Sequence, residues 1–102
     1  MRKYHHKNGI IEWCFEDEEG IIKERTIYID YIEANTTRKG EGKKLLSDFI
    51  KDAKQKHKAR MITLIASEEY GTPLNKLESF YIHFGFKEIH RSNFGVEMCL
   101  HI

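Results

Sequence analysis

Thr37-Arg38-Lys39-Gly40-Glu41-Gly42-Lys43-Lys44-Leu45-Leu46 is the stretch on which the reading of this chain turns. A run of strand formers precedes it. After it, Leu45, Leu46, Phe49, Ile50 and Ala53 recur at helical spacing, while Lys44, Ser47, Asp48, Lys51, Asp52 and Gln55 fill the opposite face. The spacing predicts a helix over residues 40–57, opened by two glycines with one residue between them. Glycine lets the backbone come close to a ligand. The N–H groups of a first turn, at the positive end of the helix dipole, favour an anion. The stretch therefore reads as a phosphate cradle.

Two familiar phosphate loops do not fit it. A P-loop needs a glycine five residues before its Gly-Lys pair and a Ser or Thr after the lysine; Thr37 and Lys44 stand there instead. A dinucleotide fingerprint needs a third glycine three residues beyond the second, and that residue is Leu45. What remains is a short Gly-x-Gly loop opening a helix.

On the N-terminal side, residues 9–15 are strand formers, 16–20 an acidic turn, and 21–34 a second run, either one bent strand or two broken near residues 23–25. The two runs predict an antiparallel hairpin, followed by a loop at 35–39. On the C-terminal side, residues 61–66 form a short, nearly continuous apolar strand, as expected where both faces are covered. Strand, helix, strand in that order implies a right-handed crossover and a parallel pair. After a loop at 67–71, Thr72 and Pro73 read as N-cap and first residue of a second helix. Leu74, Leu77, Phe80, Tyr81 and Phe84 give it a buried face, and Gly85 ends it. Residues 86–90 and 95–101 close the chain as a strand pair. The expectation is α+β: one domain over residues 1–102, a mixed sheet with two main helices.

Composition narrows the function classes. A chain of 102 residues suits one core. A net charge of +1 argues against nucleic acid as the partner. Charge is uneven, with acids dominating residues 11–33 and bases 38–60, which suits an anionic ligand near the glycines. Cys14 and Cys99 lack metal-type spacing and read as small apolar residues in a reducing compartment. The histidines show no ligand spacing, and His5 and His6, being adjacent, fall on opposite faces of any strand. No metal is expected. No apolar run is long enough for a bilayer, and no signal-peptide core follows the start, so a cytoplasmic protein without a membrane partner is expected.

The glycine loop resembles motif A of the GNAT superfamily of N-acetyltransferases, written Gln/Arg-x-x-Gly-x-Gly/Ala. Phe80-Tyr81-Ile82-His83-Phe84-Gly85-Phe86-Lys87-Glu88-Ile89 resembles the family's second signature, in which an aromatic-Tyr pair on a helix runs into Gly-Phe at the next strand. The resemblance covers residues 27–102 and implies a GNAT-like acyl-CoA N-acyltransferase fold with acetyl-CoA as cosubstrate. It implies that Arg38, Lys39, Gly40, Glu41, Gly42 and Lys43 hold the pyrophosphate, mainly through backbone N–H groups. It implies that the backbone of Ile32, Glu33 and Ala34 pairs with the pantetheine arm as an added strand would. Tyr81 matches the tyrosine placed near the thioester sulfur, where a phenol can protonate the leaving thiolate.

The amine acceptor needs a base, and Asp30 and Glu33 are nearest in sequence. Regular alternation puts them on opposite faces unless a bulge intervenes; Glu33 is the candidate carried forward. Thr37 and Glu41 depart from the motif, and the family's second-helix asparagine would fall on Leu74. Typical members place a helix pair between their first two strands. Eight residues precede Gly9, too few for that pair, so the acceptor side is expected to be open, suiting a protein lysine or N-terminal amine. Very short members are known among bacterial and phage acetyltransferases, including anti-CRISPR enzymes. A homodimer is left open. The alternatives are a GNAT-fold binding module without activity and a small nucleic-acid-binding domain.

Overall fold

The structure, a computed structural model, describes residues 2–16, 25–35, 40–68 and 72–102. Six strands and two helices follow in the order β1 (Arg2–His6), β2 (Gly9–Phe15), β3 (Thr26–Ala34), α1 (Glu41–Gln55), β4 (Met61–Ala66), α2 (Leu74–His83), β5 (Lys87–Ser92) and β6 (Gly95–His101). They form one mixed sheet, ordered β1-β2-β3-β4-β6-β5. Only β3 and β4 run parallel, across the crossover made by α1; the other neighbours are antiparallel. The hairpin of β2 with β3, the parallel pair and the closing pair of β5 with β6 are all as expected.

The element order agrees with the reading, but its first strands divide differently. Residues 2–6 form a strand that hydropathy did not mark. The acidic turn and the supposed break at 23–25 fall largely outside the described residues. β1 is legible only through its partners. Its alternate residues turn inward, Tyr4 meeting Phe49 edge-on at 5.3 Å and His6 reaching Asp48 at 2.7 Å. His5 and His6 do lie on opposite faces. β1 joins β2 through Lys7 and Asn8 alone, so no helix pair separates these strands.

Register assigns the two faces. Trp13 pairs with Ile29, Ile27 with Ile62 and Leu64 with Met98, so these residues share a face with Ile11 and Val96. Leu45, Leu46, Phe49 and Ala53 of α1 and Tyr81 of α2 join them in one buried cluster. Burying side chains of this size is worth about 1.5–3 kcal/mol each, which fixes both helices to that face. Neither helix lies on the other face.

α1 ends in a turn where Lys58 takes φ 56° and the Ala59 N–H donates to Ala53 O at 2.9 Å. Glycine is the residue that more often fills such a left-handed place. α2 starts one residue later than expected. Pro73, at ψ 143°, is the N-cap, and the Leu74 N–H donates to Glu68 Oε1 at 3.0 Å. The capping oxygen therefore comes from Glu68 rather than Thr72. Gly85, at φ +100°, follows the helix as expected. No helix among the described residues is long and apolar enough to cross a membrane.

Candidate active site

The site begins where β3 and β4 part. Their pairing runs from Thr26 with Met61 to Ile29 with Leu64 and then stops, although β3 continues to Ala34. At the same point β3 carries a bulge against β2. Trp13 pairs with Ile29 and Glu12 with Tyr31, which leaves Asp30 as the extra residue. A bulge bends its strand and sharpens the twist, and here it coincides with the separation from β4.

The bulge also resets which side chains share a face. Beyond it Ile32 pairs with Ile11 on the helix side, while Tyr31 and Glu33 join Tyr28 on the other. The regular alternation that would separate Asp30 from Glu33 does not hold. The Tyr31 hydroxyl donates to Glu33 Oε2, and the Glu33 side chain is exposed.

Backbone direction in the gap follows from one anchor. The Asn35 N–H donates to Asn8 O at 2.8 Å. Successive residues of a strand direct their N–H and C=O to opposite sides. Asn35, Glu33 and Tyr31 therefore face β2, and Ile32 and Ala34 face the gap that β4 leaves. Of the three residues expected to hold an added strand, Ile32 and Ala34 offer backbone groups and Glu33 does not. Gly9, opposite Ala34, allows a close approach of the strands: a Cβ there would stand 2.2 Å from Glu33 O and 2.8 Å from Leu45 Cδ2.

The N-terminus of α1 follows on from the end of β3. Gly40 is its N-cap at φ +91°, a conformation that suits glycine, and among the described residues no side chain caps the first turn. Gly40 O accepts from the Lys44 N–H at 2.9 Å. That is the first bond of the helix, so the amides of Gly42 and Lys43 have no acceptor within it. Lys43 and Lys44 are exposed beside them, and Glu41 is half-buried. Arg38 and Lys39 lie outside the described residues.

The two sequence signatures meet here. A Cβ at Gly42 would lie 3.5 Å from Phe80 Cζ on α2. The next residue, Tyr81, is 5% exposed, packed against Phe80 and Phe86 at ring separations of 5.3 and 5.6 Å. Burial pushes its phenol up to about 12. Among the described residues its hydroxyl has no hydrogen-bond partner. Sequence reasoning left a bulge between Asp30 and Glu33 open without placing it, and missed the role of Gly9, because both depend on which residue lies across the sheet.

A parallel pair that separates beside an uncapped helix N-terminus, with an aromatic-Tyr pair against the glycine loop, defines an acyl-CoA N-acyltransferase architecture. The chain has the GNAT fold. It is similar to the anti-CRISPR protein AcrVA5, at 25% identity and a TM-score of 0.67, over 97% of this chain and 96% of that one. It is also similar to a chain of the NatC complex bound to Gag peptide and CoA, at 19% identity and a TM-score of 0.67, over 92% of this chain and 60% of that one. A third likeness is to an acetyltransferase of the GNAT family from Listeria monocytogenes, at 14% identity and a TM-score of 0.62, over 93% of this chain and 58% of that one. No family model and no curated protein matches the sequence.

Proposed function

We propose that this chain is an N-acetyltransferase that moves an acetyl group from acetyl-CoA to a primary amine, a lysine or N-terminus of a protein. The observation that carries the proposal is the β3–β4 gap ending at an uncapped glycine-led helix on a GNAT fold. The pyrophosphate sits on the first-turn amides around Gly40, Gly42 and Lys43, with Arg38, Lys39 and Glu41 completing the loop. The pantetheine arm runs along Ile32 and Ala34 as a strand in the place β4 vacates. The gap delivers the thioester to the helix-free face. That open face suits an amine presented on a macromolecule, and the NatC neighbour is bound to a peptide as well as CoA.

In the reaction the neutral amine nitrogen attacks the thioester carbonyl, the C–N bond forms, the C–S bond breaks and sulfur leaves as thiolate. Glu33, held by Tyr31, takes the proton the nitrogen sheds. Tyr81 is the group for the sulfur, but its acidity limits what it does. A phenol at about 12 against a thiol near 8.5 makes complete proton transfer uphill by about 5 kcal/mol. Tyr81 therefore donates a hydrogen bond to the developing thiolate, and the proton that Glu33 took from the amine passes to sulfur through solvent.

The test is acetyl-CoA consumption with a panel of lysine peptides, alongside melting with CoA. A CoA-dependent rise in melting temperature with acetylated product supports the reading. The absence of a shift at millimolar CoA removes it. A shift without product identifies the second reading, a CoA-binding module without turnover, which the burial of Tyr81 favours.

A further inference from the structure

The helix-free face of the sheet has a chemistry that the proposed cofactor does not use. Register puts Tyr28 beside Thr63 and Ile65 beside Glu97 on this face, next to Tyr31 and Glu33, and the exposed extra residue Asp30 is near enough to Tyr28 to act on its charge. Three carboxylates thus gather beside the gap. Ile65 is 49% exposed among them, an apolar surface for the stem of a long side chain. The Tyr28 phenol is pushed up by its burial and then by Asp30, Cys14, Glu16 and Glu97, so negative charge converges on it. Among the described residues the lysines of the face stand toward its edges, Lys3 on β1 at 3.8 Å from Glu12 and Lys87 on β5, with His90 of β5 across from Glu97.

A second observation is independent of charge. Thr63 is 5% exposed on this face, and its Oγ1 is buried with no hydrogen-bond partner among the described residues. A buried hydroxyl left unpaired is destabilising, and here it puts an unmatched acceptor in the floor of the face beside Tyr28, which adds to the electronegative character of that spot.

Resting on the acetyltransferase reading, we propose that this face selects its acceptor by charge, taking a lysine within a cationic peptide segment. The lysine stem lies on Ile65 and its nitrogen approaches the half-buried Tyr28. The flanking cations meet Asp30 and Glu97. An acidic or neutral surround gains nothing from these carboxylates. The arrangement belongs to residues of this chain rather than to the glycine loop or the Tyr81 signature.

Three fluorescein-labelled peptides test it, each with a single lysine flanked by arginine, serine or glutamate. Their binding to the full chain is followed by anisotropy at saturating CoA, in 50 and 200 mM salt. The arginine-flanked peptide is expected to bind at least about tenfold tighter than the serine-flanked one, with the advantage shrinking at the higher salt. The double variant Asp30→Asn, Glu97→Gln should reduce it below about threefold while melting within a few degrees of the parent. Equal affinity for the three peptides, or an advantage that survives in the double variant, overturns the inference. Acetylated product is scored separately. Equal acetylation without preference leaves the transferase standing and removes the charge selection. Preferential binding without product does the reverse.

Discussion

Replacing Gly42 by alanine and by glutamate separates what the fold needs at this position from what a ligand needs. A Cβ there would meet Phe80 Cζ at 3.5 Å and Cε1 at 3.7 Å, ordinary contact. Gly42 is the second residue of α1, and alanine is favoured over glycine by about 1 kcal/mol in a helix interior and less at its start. Gly42→Ala should therefore melt higher than the parent, by up to about 4 °C. It should also keep CoA, because the GNAT motif accepts alanine at this place. Glutamate brings the same Cβ and an acid that suits the first turn, so that variant should fold as well. Its carboxylate, however, enters the space assigned to pyrophosphate. Two such charges about 4 Å apart repel by about 4 kcal/mol at an effective dielectric of 20, a loss of about a thousandfold in affinity. Melting and calorimetric titration with CoA read both effects. At a hundred times its Kd, CoA should stabilise the parent by about 2.7 kcal/mol and leave Gly42→Glu unmoved. A Gly42→Ala protein that melts lower, or a Gly42→Glu protein that retains CoA, refutes the reasoning.

Further outcomes follow from the same geometry. Lys58→Gly relieves a left-handed lysine that costs about 1 kcal/mol, so it should raise the urea midpoint; a lower midpoint would place the strain elsewhere. Gly9→Ala drives a Cβ against Glu33 O and Leu45 and should cost about 1–3 kcal/mol, read as a fall in melting temperature. Tyr81→Phe should change stability only in alkali. The phenol is raised from 10.0 to about 12, so its contribution is whole below pH 10 and is lost as pH climbs through 12. Two units correspond to about 3 kcal/mol. The variant should lose less stability than the parent over that window, and equal losses would show that Tyr81 titrates normally.

The parts of the fold legible in the sequence were those written locally. α1 follows from Leu45, Leu46, Phe49 and Ala53 at helical spacing, and Gly85 marks the end of α2 because it is the left-handed residue after it. The glycine loop and the Phe80-Tyr81 pair were legible as separate motifs. That they touch was not, since the contact depends on α1 and α2 sharing a face. β1 escaped notice because residues 2–6 are polar apart from Tyr4 and so show no apolar alternation; its inward side chains meet α1, His6 reaching Asp48, 42 residues along the chain. The bulge escaped because nothing in residues 26–34 distinguishes an extra residue from a paired one; only β2 does so. Thr63 likewise reads as one polar residue in an apolar strand, and its unpaired hydroxyl appears only once its neighbours are placed.

The bulge makes Asp30 a matter of counting as much as of chemistry. In the gene it is one codon, and deleting it in frame would leave every other residue of the strand in place by name. The four residues after it would also keep their sides, because Ile29 and Tyr31 already pair with the adjacent residues Trp13 and Glu12. What would go is the bulge itself, and with it the bend that coincides with the parting of β3 from β4. Asp30→Ala keeps the count and so keeps the bend. At this locus an in-frame loss of three nucleotides would leave the packing of β3 readable as before and take away the opening beside it.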